Sequence, residues 1–182
     1  MTAMQLSEGI TLMSGARFDY HNPSVGSVEL NDLIQPLSNI CRFAGQLPYF
    51  YSVAQHLVNT SLIVPPEFAF EALMHDTAEA FTNDVPTPLK VQVPMFKEIE
   101  VKVESDMARR FGFAYPFSKE VMLADRQMLG LEMYLIRGQD PGDHAILDGI
   151  EFAHLAELVD LTSWSPRLAK RNWLARYEDL TS

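Results

Sequence analysis

The sequence predicts an all-α fold, a single-domain helical bundle with a short N-terminal hairpin or loop cover. Three observations carry that expectation. From Asn31 onward apolar residues recur at helical spacing. Helix start and stop signals, among them a Ser-x-x-Gln box, first-turn prolines and a closing glycine, frame those stripes. No internal repeat, low-complexity tract or linker interrupts them, and 182 residues with 47% hydrophobic content suffice for one buried core.

The elements follow in order. The first thirty residues, punctuated by Gly15, Pro23 and Gly26 with Leu12, Phe18 and Val28 between them, read as the hairpin or loop cover. Asn31 or Asp32 is the expected cap of a first helix striped by Leu33, Ile34, Leu37 and Ile40. Cys41 to Pro48 reads as a loop. Ser52-Val53-Ala54-Gln55 has the capping-box pattern, which starts a helix running to about Ile63 and puts His56 in its second turn. Pro65-Pro66 ends that helix and opens another, which carries Phe68, Ala69, Ala72 and Leu73 to His75-Asp76 and frays near Ala80. Asn83 to Pro88 is expected as a turn. Pro94 and Gly112 bracket a long amphipathic helix with Phe96, Ile99, Val103, Met107 and Phe111 on one face. A helix from near Ser118 to about Arg137, a turn over residues 138–143, and two weaker helices near 146–159 and 165–178 complete the expectation.

Composition narrows the function. A net charge of −10 argues against broad contact with a nucleic acid polymer, whose binding is dominated by cations that neutralise phosphates. An anionic substrate must then meet a local patch or a metal. A single cysteine, Cys41, builds no internal disulfide framework, and neither a signal-peptide pattern nor a run of eighteen apolar residues is present. The expectation is a cytoplasmic protein without a membrane partner.

The stretch His75-Asp76-Thr77-Ala78-Glu79-Ala80-Phe81-Thr82-Asn83-Asp84 puts an imidazole and three carboxylates within barely three helical turns. Asp125 falls on the apolar stripe Val121, Met128, Leu129, Glu132 and Leu135, and His56 shares a face with Val53, Thr60 and Ile63. An ionised carboxylate on a core face needs a partner, because burial without one costs several kcal/mol. Each group alone has a plainer explanation: a hydrogen-bonded core histidine, an Asp125 paired with Arg126 or Arg42, or a Glu79 bonded to His75. Together, donors from three helices can converge on one ion, as in bundle metal sites. His21, His144 and His154 lack such company and read as surface or packing residues.

Tyr51-Ser52-Val53-Ala54-Gln55-His56, His75-Asp76-Thr77-Ala78-Glu79, Asn83-Asp84-Val85-Pro86-Thr87-Pro88-Leu89-Lys90 and Ala124-Asp125 resemble the successive motifs of the HD-domain phosphohydrolases. The resemblance spans about residues 31–137 and is nearest the small 5′-deoxynucleotidase branch, including phage dATP triphosphohydrolases. It implies an HD-type bundle in which His56, His75, Asp76 and Asp125 hold one divalent transition metal (Zn, Co or Mn), with an additional Mg for a triphosphate substrate. Glu79 would orient or deprotonate water and Asp84 would serve as a second acid/base. Arg42 and Lys90 would contact phosphate, while Phe43 and Pro86 flank sugar or base. The implied partner is a small-molecule deoxynucleotide: dATP or another dNTP yields deoxynucleoside and tripolyphosphate, a dNMP yields phosphate. A non-catalytic nucleotide-binding module keeps the same bundle and metal. The resemblance further implies a homo-oligomer, dimer or hexamer, in the cytoplasm of a bacterial or phage-infected cell.

Overall fold

In the computed structural model, which describes residues 9–140, 142 and 144–182, the N-terminal cover is an antiparallel hairpin of β1 (Gly9–Thr11) and β2 (Arg17–Asp19), with Ile10 opposite Phe18. Residues 1–8, part of the expected cover, lie outside the described residues. Phe18 is buried and stacks on Phe81 with centroids 4.2 Å apart, which pins the hairpin over the helical core. Helix α1 (Leu30–Asn39) is capped by Glu29, earlier than the expected Asn31 or Asp32. Asp32 occupies the third helical position instead: its carboxylate accepts the Glu29 N–H at 2.9 Å and the Ser14 N–H and hydroxyl at 2.7 and 2.8 Å. One side chain thus starts the helix and ties down the hairpin turn.

Helix α2 (Val53–Ile63) begins where the Ser52 hydroxyl accepts the Gln55 N–H at 3.1 Å, and its residues from Val53 to Ser61 are all buried. Such all-round burial makes α2 the central rod. Its polar side chains must be satisfied internally, and they are. The Gln55 amide donates to the Asp160 and Thr162 carbonyls at 2.8 and 2.7 Å, and the Asn59 amide donates to the Asp160 carbonyl at 2.8 Å, fastening the segment before the last helix.

After a 3-10 turn at Pro66–Phe68 come α3 (Ala69–Met74) and α4 (Glu79–Thr82). The expected single helix through His75-Asp76 is broken here. Hydrogen bonds of i+3 type from Thr77 to Met74, Glu79 to Asp76, Ala80 to Thr77 and Phe81 to Ala78 tighten the chain. Side chains three apart eclipse in that geometry, which sets Glu79 above Asp76. The expected turn at Asn83 to Pro88 ends early, because Thr87-Pro88 opens a short helix, α5 (Thr87–Gln92). Proline suits the first helical turn, where its missing N–H is no loss.

Helix α6 (Pro94–Phe111) has the expected bounds, ending at Gly112 with φ 77°. Helix α7 (Lys119–Leu131) continues through a π turn at Glu132–Ile136 to Arg137, matching the expected extent. The helix expected at 146–159 is absent: two 3-10 turns, Ala145–Leu147 and Ala153–Leu158, are separated by Gly149 at φ 72°. Pro141 and Asp143 of the expected preceding turn lie outside the described residues. Helix α8 (Pro166–Thr181) closes the bundle, its Ser165 hydroxyl accepting the Leu168 N–H at 3.3 Å. Helix α2 packs on α1, α3, α7 and α8, and α8 packs on α1 and α3. The architecture is all-α, with Trp164 and Trp173 buried in its core. No helix among the described residues is long and apolar enough to cross a membrane.

Candidate metal centre

Three packed elements, α2, the tightened segment after α3, and α7, deliver four donors to one point. One ligand atom each from His56, His75, Asp76 and Asp125 lie within 4.8 Å of one another. His56 Nε2 is 3.2 Å from Asp125 Oδ1 and 3.7 Å from Asp76 Oδ2; His75 Nε2 is 3.6 and 3.4 Å from the same two oxygens. Bonds of about 2.0–2.1 Å to one ion put its donors about 3.4 Å apart at angles of about 110°, and expansion to five-coordination leaves a position for water. The four spacings bracket that value. Asp125 pairs with neither Arg126 nor Arg42, and Glu79 does not bond His75, so both plainer readings fall away among the described contacts.

The outer nitrogens fix the imidazoles. His75 Nδ1 faces the Ala72 carbonyl at 2.8 Å, and a carbonyl can only accept, so the proton sits on Nδ1. His56 Nδ1 lies 2.7 Å from a carboxylate oxygen of Glu132 and carries its proton for the same reason. Both Nε2 lone pairs are left aimed inward, and His75 Nε2, though buried, has no hydrogen-bond partner among the described residues. An orphaned buried nitrogen between two carboxylates suits a metal ligand, and the donor set fits a divalent transition metal.

Charge points the same way. Burial works against a protonated His75, yet Asp76 and Asp125 outweigh it and push the group up to about 9. His56 is also raised: burial and Arg42 oppose, Glu132 and Asp125 prevail. For Asp125 burial opposes ionisation, but the two imidazoles facing it hold it well below the usual carboxylate range. The cluster is built to contain positive charge.

Glu132 was not among the expected site residues. It is fully buried, bonding His56 through one oxygen and Arg42 Nε at 3.0 Å through the other. Its signal was available, since it follows Asp125 by seven residues on the same helical face. Arg42, placed by the sequence as a phosphate contact, is buried against Glu132 and reaches Asp76 at 3.6 Å. Lys90, the second expected contact, is held by buried Glu100 at 2.5 Å and stands 4.0 Å from Glu79. Glu79 is buried with Oε2 unpartnered. Burial, then Asp76 and Asp84, push its carboxyl well above the ordinary value, while Arg42 and Lys90 pull it back. Asp84 accepts the Phe43 N–H at 3.0 Å, holding a loop in which Phe43 and Ala44 take left-handed φ of 56° and 51°. Such non-glycine strain costs about 1–3 kcal/mol per residue and gathers at functional sites.

Two cavities open onto the centre, both lined by Asp76, Glu79, Asp125, Thr87 and Lys90. One, of about 550 Å³, is walled by His75, Phe117 and Val121. The other, of about 630 Å³, is walled by Arg42, Phe43, Asp84, Pro86, Arg126 and Arg137. All ten expected site residues therefore border one contiguous region.

No protein-family model matches the chain. It is 39% identical over 172 residues to the uncharacterized protein YfdR of Escherichia coli K12, a match covering 94% of this chain and 95% of that protein. A second uncharacterized protein, from Rhodobacter capsulatus, is 29% identical over 145 residues, covering 70% of this chain and 72% of its own length.

Proposed function

The chain belongs to the family of Escherichia coli YfdR, and we propose that it is a metal-dependent phosphohydrolase of the HD-domain type acting on a deoxynucleotide, with dATP or another dNTP as substrate. One observation carries the reading: two imidazoles with tautomers fixed from behind and two aspartates present four donors within 4.8 Å. His56, His75, Asp76 and Asp125 would hold the ion. A divalent ion there lowers the pKa of water and polarises a phosphoryl oxygen.

The chain's own groups supply the rest. Glu79, with a free buried oxygen and a carboxyl pushed above its ordinary value by burial, suits a base that takes a proton from water. The water oxygen bonds to the α-phosphorus, the bond from phosphorus to O5′ breaks, and O5′ receives a proton by way of Asp84. Deoxynucleoside and tripolyphosphate leave, one water consumed. Arg42, its charge only shared with Glu132 and Asp76, offsets the charge gathering on the phosphoryl group. Phe43 and Pro86 face the larger cavity beside it, where sugar or base would lie. The substrate and the chain meet in the cytoplasm in this reading. Incubation with each dNMP and dNTP across several divalent ions, with separate detection of phosphate and tripolyphosphate, tests it. Tripolyphosphate from a dNTP is the expected product; no turnover of any nucleotide with any ion would overturn the proposal.

A further inference from the structure

We propose that Arg137, with Arg126, forms an anion subsite in the larger cavity that takes the phosphates beyond the one attacked, so that the ligand of this site is an oligophosphate rather than a monophosphate. The inference rests on the phosphohydrolase reading for its use, but on separate residues for its geometry. Neither arginine was expected as a substrate contact.

Of the two cations expected to meet phosphate, Lys90 is taken up by Glu100, and Arg42, shared with Glu132 and Asp76, serves only the phosphoryl group at the metal. Arg126 and Arg137 enter no ion pair among the described residues, in a chain with ten more acidic than basic charges. Both line the cavity that also contains Asp76 and Asp125. Their placement is helical. Arg126, Leu129, Met133 and Arg137 follow one another at spacings of three, four and four, a single face of α7 and its π turn, and all four border that cavity.

Arg137 is also held in place. Its guanidinium lies 5.0 Å from the centroid of the Phe43 ring, and Arg42 lies 5.5 Å from the same centroid. One ring thus keeps two like charges close together at the mouth of the metal centre, with only one of them neutralised by protein carboxylates. Like charges so placed repel unless an anion joins them. A single phosphate at the metal needs no such second cation; a chain of phosphates running from it along α7 does. Guanidinium forks suit phosphate oxygens well.

The test is a binding measurement with inorganic tripolyphosphate and orthophosphate on the metal-loaded chain, metal content being measured before and after. Wild type should bind tripolyphosphate at least about tenfold more tightly than Arg137→Gln does, since one charge-assisted contact is lost, with orthophosphate affinity changed less than twofold. Arg126→Gln should weaken tripolyphosphate in the same sense. Circular dichroism melts confirm that both variants fold, and Arg137→Lys, which keeps charge but loses the fork and the stacking, should fall between. Equal affinity of wild type for the two anions, or wild-type affinity in Arg137→Gln, would overturn the inference. If no deoxynucleotide is turned over while Arg137→Gln still selectively loses tripolyphosphate, the subsite stands and the hydrolase reading falls. If a dNTP is hydrolysed to tripolyphosphate while tripolyphosphate binding ignores both arginines, the reverse holds.

Discussion

His56 is held from behind by Glu132 and His75 by the Ala72 carbonyl, and substitutions at the centre separate chemistry from support. Glu79→Ala removes the one carboxylate that, among the described residues, has an unpartnered buried oxygen. Turnover should fall by at least about 10²-fold, the usual worth of a positioned general base, while metal content by mass spectrometry stays at the wild-type level. Glu132→Ala should do the opposite kind of damage. It strands buried Arg42 and frees the His56 ring, so stability should drop by about 3–5 kcal/mol in urea titrations and metal affinity by about 10–100-fold. The proposed His and Asp ligands were legible in the sequence because titratable residues stood on apolar helical faces. Glu132 was legible by the same rule and passed over, as it carries no motif of its own. The free state of Arg137 was not legible at all: whether an arginine is neutralised depends on which acids folding brings to it.

Elements position these residues with little slack. Helix α2 was readable from Ser52-Val53-Ala54-Gln55, since a cap is a local hydrogen bond between neighbours in sequence. Ser52→Ala should cost about 1 kcal/mol by chemical denaturation and, because that helix carries His56, loosen metal binding along with it. The break between α3 and α4 was less readable. The modest helix propensities of His75, Asp76 and Thr77 are the only local hint of it, and in the fold His75, Asp76 and Glu79 all line one cavity. At 146–159 a helical pattern of apolar residues lost to Gly149, whose left-handed φ follows the first turn and breaks the run, and to Phe152, which packs over Gly130 on α7. Adding a Cβ at Gly130 would meet the Phe152 ring at 2.6 Å. Gly130→Ala should therefore lower the melting temperature despite the better helix former, overpacking costing about 1–3 kcal/mol against about 1 kcal/mol gained.

For the whole molecule, the bundle and the centre are one thermodynamic object. His75 is raised from 6.5 to about 9 in the fold. In the metal-stripped protein that interaction is fully present below the unfolded value and is lost as pH rises through about 9. Asp125, held low, keeps its contribution above its unfolded value and loses it only in acid. A bound ion takes the place of the imidazole protons, so binding releases protons and tightens with pH. Melting temperatures with and without chelator should diverge steadily between pH 6.5 and 9; a gap independent of pH would refute the linkage. The most direct measurement of all is the metal content of the purified chain beside His75→Ala and Asp125→Ala. The account predicts one divalent transition ion per wild-type chain and almost none in either variant; a metal-free wild type after growth and dialysis with Zn, Co and Mn, or equal loading in all three proteins, would contradict it.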